Sequence, residues 1–274
     1  MRLLRAYPLP SFVILAYAIA SLLALPLALS NRGLLAIHVA PEWEVGVAFG
    51  PFIAAVLVLR ANNDRAAIRA FWQSFKRWRI GGHGWLLAAG SPWLFLAIAF
   101  AGIALVQQQL PRPMLPDGTW TSMLRATVDL VIIGSLLQSV GEEPGWRGFF
   151  LPKLRESYGP LAATCVLFPI WLFWHLPMVL ARPEFTIAQF AGFALGILSA
   201  AIWLTVIYEY THSLLAAIVW HALVNLTRGL ALAVSTSAFL AYGLAVSVGA
   251  VGVALILSRH DGQNGSHPGE PPDS

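Results

Sequence analysis

The sequence predicts an all-α, polytopic integral membrane protein with about eight transmembrane helices. Three observations carry that prediction. Only 11% of the 274 residues are charged and 58% are hydrophobic, whereas soluble domains average about 25% charged residues. Apolar stretches of about 20 residues, long enough to cross a ~30 Å hydrocarbon core, recur near 11–29, 44–60, 84–106, 123–143, 160–181, 187–208, 213–232 and 235–257. The cationic residues, finally, are divided unevenly between the segments that join these stretches.

The first stretch follows Arg2 and Arg5 and ends in "LALS", which resembles a signal-peptide cleavage site. Its apolar core exceeds the usual ~7–15 residues of a signal peptide, so it reads as a retained helix. After the second stretch, "NNDRAAIRAFWQSFKRWRIGGHG" (62–84) spaces Ile68, Phe71, Trp72 and Phe75 at helical intervals among basic residues. That pattern predicts an amphipathic helix on the inner membrane surface. Residues 1–122 therefore form an N-terminal part of three spans with a basic cytoplasmic segment, and 123–232 contain the next four. Residues 233–258 supply the last span, and the polar, Gly- and Pro-rich 259–274 are expected to be a disordered cytoplasmic tail.

With the N-terminus inside and each span reversing direction, twelve of the 17 Lys and Arg residues fall in inside segments. Arg32, Arg112, Arg125, Arg182 and Arg228 fall outside. This is a positive-inside bias, and it predicts a multi-pass cell-membrane protein with both termini cytoplasmic. The formal charge of +4 is accounted for by loops held near anionic lipid rather than by nucleic acid. The lipid bilayer is the expected partner, and no nucleic acid is. Cys165 is the only cysteine. An intrachain disulfide and a multi-cysteine zinc site are thereby excluded. Lying in an apolar run, it is expected to be a buried, inert thiol.

Ionisable groups inside a membrane are costly and point to function with a named partner. Glu142, Glu143 and Arg147 stand in "EEPGWRGFF", His175 in "WLFWHLP", and His221 with Asn225 in "IVWHALVN". Glu143 and Arg147 are four apart and share a helix face, as do His221 and Asn225. Glu142 and His175 are 33 residues apart, and the midpoint falls at the turn signal Tyr158–Pro160. If the fourth helix continues to about residue 156 and the fifth begins near Pro160, the two make an antiparallel hairpin that sets Glu142 level with His175. Pro144 is expected to kink the fourth helix beside the glutamates.

A carboxylate and an imidazole at one level can take a proton from water. A second imidazole and an amide can hold the oxyanion formed when that water attacks a carbonyl. Glu142, His175 and His221 could equally ligate Zn2+ and leave a position for water. No HExxH motif is present, and the residues leave both readings open: no certain cofactor, with zinc as the alternative.

"EEPGWRGFFLPKL", "WLFWHLPMVL" and "YEYTHSLLAAIVWHALVN" resemble, in order, the EExxxR, FxxxH and HxxxN/D motifs of the CPBP family, the CAAX prenyl endopeptidases and bacteriocin-processing enzymes. The resemblance covers about residues 125–230, with Trp171 standing where the second motif has Phe. It implies an intramembrane endopeptidase, of glutamic or metallo type, in which Glu142 and His175 activate water while His221 and Asn225 form the oxyanion site. Glu143 and Arg147 complete the first motif. It implies a peptide or protein substrate, which could be lipid-modified, and a site opening to the cytoplasm. The alternatives are a silent scaffold or immunity protein of the same fold, against which the intact motifs argue, and a proton-coupled transporter, for which no paired repeat halves are found.

Overall fold

The computed structural model describes residues 2–108, 120–182 and 184–264; the side chains of 120, 121 and 259–264 are not described. Among the described residues every regular element is helical. Eight helices are long and apolar enough to cross a membrane: Pro8–Asn31, Pro41–Asn62, Gly81–Gln107, Ser122–Arg155, Pro160–Leu180, Ile187–Thr211, Leu214–Val234 and Thr236–Ser258. The protein is thus a multi-pass membrane protein. In hydrocarbon, a backbone that satisfies all its own hydrogen bonds is the one that can cross, and that selects helices here.

Packing between spans relies on small residues, as expected where lipid competes equally for large apolar side chains. Ala16, Ala20 and Ala24 of the first span form one buried stripe. Its partner is the second span, where a Cβ on Gly50 would lie 3.1 Å from the carbonyl oxygen of Ala16. The second span in turn receives the fourth. A Cβ on Gly141 would come within 2.7 Å of the Ala48 carbonyl, and one on Gly145 would overlap Pro51. The "GEEPG" sequence is therefore a small-xxx-small contact as well as a carrier of acids.

The fourth span reaches Arg155, twelve residues beyond the apolar stretch, and turns through 156–159 directly into Pro160, the continuation on which the hairpin depends. The antiparallel hairpin with the fifth span is therefore formed. Pro144 lies inside a continuous helical segment, Gln138–Gly145, that is bracketed by two π-helical segments, Asp129–Leu137 and Trp146–Phe150. Instead of breaking at the proline, the helix widens around it, a form that concentrates at functional sites.

Polar ties close the two ends of the bundle. At the basic end, Arg155 makes a two-pronged pair with Glu209 at 2.9 and 3.0 Å, and Ser213 Oγ donates to the carbonyl of Arg77. At the other end Arg182 pairs with Glu44 and Arg125 with Glu42, both at 2.8 Å or less. The surface helix Arg65–Phe75 is present. Asp64 caps it by accepting from the amides of Ala66 and Ala67, and Phe71 packs in an aromatic cluster with Phe52, Trp72 and Phe75. The eighth span continues as helix to Asn264, into the segment read as a tail, and 265–274 lie outside the described residues.

One expectation fails. Cys165 is exposed on the fifth span, not buried. An apolar run in a membrane protein has one side turned to lipid, so lying in such a run does not imply burial in protein.

Candidate active site

Three helices bring the polar residues together at one depth. Glu142 and Glu143 lie on the fourth span, His175 where the fifth span's long helix ends at Trp174, and His221 on the seventh. All four side chains are buried, as is Arg147, which is fully enclosed. The hairpin sets Glu142 Oε2 4.0 Å from His175 Nε2. That is too long for a direct hydrogen bond and short enough for both atoms to reach one water.

The protonation pattern of His175 follows from its other nitrogen. Nδ1 lies 2.8 Å from the backbone carbonyl oxygen of Trp171. A carbonyl can only accept, so Nδ1 carries the proton and Nε2 presents a lone pair toward Glu142. Glu142 Oε2 also accepts from the Trp171 indole at 2.8 Å. One residue therefore fixes both partners: its backbone orients the imidazole and its side chain anchors the carboxylate.

Trp171 does more than this. Its ring lies under the Arg147 guanidinium, whose central carbon is 4.3 Å from a ring centroid, and it packs against the rings of His175 and His221 at 5.9 and 5.8 Å. Sequence reasoning treated it as an aromatic variant of a phenylalanine position and missed its role. The signal was available: an indole N–H buried in an apolar helix needs an acceptor.

Glu143 holds a second group. Its Oε1 accepts from Arg147 Nη1 at 3.2 Å and contacts His221 Nδ1 at 2.7 Å. The pairing with Arg147 is the one read from the i, i+4 spacing; the contact with His221 is added by the fold. Arg147 Nε and Nη2 and Glu143 Oε2 find no hydrogen-bond partner among the described residues, so the stacking on Trp171 supplies much of what offsets burial of the cation. Removing one member of such a buried pair typically costs about 3–5 kcal/mol, since the other charge is stranded. Asn225 is half-buried one turn beyond His221 and makes no side-chain hydrogen bond within the described residues.

These groups can act as a base on water beside a donor cluster. Among the described residues no three His, Cys, Asp or Glu side chains are grouped so as to hold one metal ion. The Nδ1 contacts of His175 and His221 leave each Nε2 available, an orientation that serves proton transfer and metal ligation alike.

From Glu142 toward the basic end, Glu143, Trp146, Arg147, Phe150 and Leu151 are all buried. Toward the opposite end, 122–128 of the fourth span and 186–192 of the sixth are largely exposed.

Residues 124–227 match the family model described as "Type II CAAX prenyl endopeptidase Rce1-like". Over 103 residues the chain is 29% identical to a protein of Methanococcus maripaludis named "CAAX prenyl protease 2", a match covering 35% of this chain and 38% of that relative. The chain thus spans well under half the length of the relative it matches. Every residue of the cluster falls inside the matched segment.

Proposed function

We propose that the protein is an intramembrane endopeptidase that cuts peptide bonds of membrane-associated substrates with a water activated by Glu142 and His175, a reading supported by the similarity of residues 124–227 to the Type II CAAX prenyl endopeptidase Rce1-like model. The observation that carries this reading is the 4.0 Å separation between Glu142 Oε2 and His175 Nε2, with His175 Nδ1 already committed to a carbonyl. Both facing atoms are acceptors, and a water between them has its two protons held and its lone pairs free.

In the reaction, Glu142 removes a proton as the water oxygen bonds to the scissile carbonyl carbon. The carbonyl π electrons move onto oxygen. The Nδ1 contact with Glu143 holds the His221 ring, and the other ring nitrogen and the Asn225 amide are the groups that meet that oxyanion. Collapse of the tetrahedral intermediate breaks the C–N bond, and Glu142 returns its proton to the leaving amine. Glu143 and Arg147 keep His221 in place without touching the substrate. The relative named CAAX prenyl protease 2 supports a CAAX-type or other peptide as the substrate.

The test is cleavage of a peptide library by the purified, reconstituted protein, followed by Glu142→Gln and His175→Ala. Each substitution should lower turnover per folded molecule about 10²–10⁴-fold, the usual contribution of a positioned general base. Near-normal turnover by Glu142→Gln on a confirmed substrate would sink the mechanism. Loss of activity with a chelator and recovery with zinc would replace it by metal-assisted attack.

A further inference from the structure

A second polar site lies at the basic end of the bundle. A recess of about 370 Å³ opens between the surface helix Arg65–Phe75 and the end of the sixth span. Ala70, Gln73 and Ser74 line it from the helix, at the i, i+3, i+4 spacing of a single face. Phe71 and Phe75 fall on the other face and pack with Phe52. Lys76 and Arg77 line the recess from the turn that ends the helix, and Tyr208 and His212 from the last turn of the sixth span and its cap. None of these residues belongs to the cluster around Glu142. The volume falls within the ~300–1,000 Å³ usual for a small-molecule site.

The lining is cationic and its backbone is held in place. Lys76 and Arg77 are exposed, and among the described residues neither side chain makes a hydrogen bond or an ion pair. The side chains of Gln73, Tyr208 and His212 make no hydrogen bond there either. Among the described residues no Asp or Glu lines the recess. Glu209, next to Tyr208 in the chain, is taken by both prongs of Arg155. The Lys76 amide donates to the Gln73 carbonyl, and the Arg77 carbonyl accepts from Ser213. Ser213 also caps the seventh span by accepting from the Ala216 amide, so the turn that carries both cations is tied to that helix. His212 closes the sixth span at φ +48°, a left-handed conformation that glycine holds more easily. A histidine there gives the recess an imidazole, set against the Tyr208 ring at 6.5 Å between centroids.

The level of the recess narrows the choice of ligand. It lies where the sixth span ends, beside the exposed Trp72 and Trp78, and such side chains settle at the headgroup layer of a bilayer. Two unpaired cations with neutral donors around them suit the oxygens of a phosphate group. A zwitterionic headgroup fits less well, because its ammonium group finds no carboxylate in the lining. We propose that this recess binds the phosphate of an anionic phospholipid whose headgroup carries no cation, of the phosphatidylglycerol type. Lys76 and Arg77 take the phosphate oxygens, and Gln73, Tyr208 and His212 are the further donors. The inference does not depend on the endopeptidase reading.

The experiment uses the purified full chain in a neutral detergent, where no surface potential gathers the lipid, and counts bound lipid by native mass spectrometry. Phosphatidylglycerol should bind about thirtyfold more tightly than phosphatidylcholine of the same acyl chains, roughly five- to sixfold for each of two cations. Lys76→Gln combined with Arg77→Gln should erase the preference. Arg65→Gln combined with Arg69→Gln removes two charges from the same helix but none from the recess, and it should keep the preference. Equal binding of the two lipids overturns the proposal. So does an equal loss in both double variants, because diffuse charge would then suffice.

Thermal unfolding checks the fold and the source of the phosphate. In detergent alone both double variants should unfold at the wild-type temperature, since the replaced side chains have no partner to lose. A ligand that binds only the folded chain raises that temperature. Phosphatidylglycerol should do so for the wild type and not for the Lys76→Gln, Arg77→Gln chain. Inorganic phosphate or glycerol phosphate that stabilises as much at equal concentration overturns the lipid source. His212→Gly suits the left-handed cap, so it should stay folded and lose part of the lipid-dependent rise; a full rise overturns the assignment of His212.

Discussion

Trp171 is the residue on which the site's geometry converges. Its indole N–H and its carbonyl oxygen, on one residue, hold Glu142 and His175 at 2.8 Å each, so neither side chain can turn without losing a buried hydrogen bond. Trp171→Phe keeps the ring that supports Arg147 but removes the donor to Glu142. Hydrogen bonds to charged groups contribute about 1.5–3 kcal/mol. The variant should therefore remain folded while turnover falls at least about tenfold, measured against a substrate cut by the wild type. Unchanged turnover would show that Glu142 needs no such anchor. That Glu142, Glu143, Arg147, His175 and His221 come together was legible from type and spacing, because intramembrane ionisable groups are rare enough to stand out. Trp171 was not, since a tryptophan among eleven in an apolar chain carries no charge to mark it.

At the scale of elements, the fourth span explains how two glutamates come to lie between helices. The glycines at 141 and 145 bring its backbone against Ala48, Phe49 and Pro51 of the second span, and the flanking π-helical segments turn Glu142 toward the fifth span and Glu143 toward the seventh. Gly141→Ala would place a methyl group 2.7 Å from the Ala48 carbonyl carbon and oxygen. Neither is a side chain that can swing away, so the spans must separate. Overpacking of this kind typically costs about 1–3 kcal/mol. The variant should unfold at lower temperature in detergent, with activity lost in proportion to or beyond the folded fraction. Unaltered thermal stability would mean the two backbones are farther apart than described. Helix number and approximate limits followed from hydropathy, whereas the twelve-residue extension to Arg155 was legible only from the turn signal at Tyr158–Pro160, because its end lacks the uniform apolarity that marks a span.

For the whole molecule, charge distribution and packing meet in one prediction about sidedness. The end carrying Lys76, Arg77, Lys153 and Arg155 is the one the positive-inside rule assigns to the cytoplasm. The other end carries the Glu44–Arg182 pair and the exposed Glu184. Taking the charge rule as the guide, an impermeant maleimide applied to intact cells should label Glu184→Cys in a Cys165→Ala chain. Lys76→Cys should react only after permeabilisation. The opposite pattern would invert the chain. The sequence by itself determined the membrane class, the eight spans and the motif residues, since hydrophobicity, spacing and rare intramembrane charge are local properties of the chain. Only the tertiary structure decided that Glu143 also contacts His221, that Trp171 ties Glu142 and His175 together and that Cys165 faces outward. Each depends on which side of one helix meets another, and that is set by contacts between residues far apart in sequence.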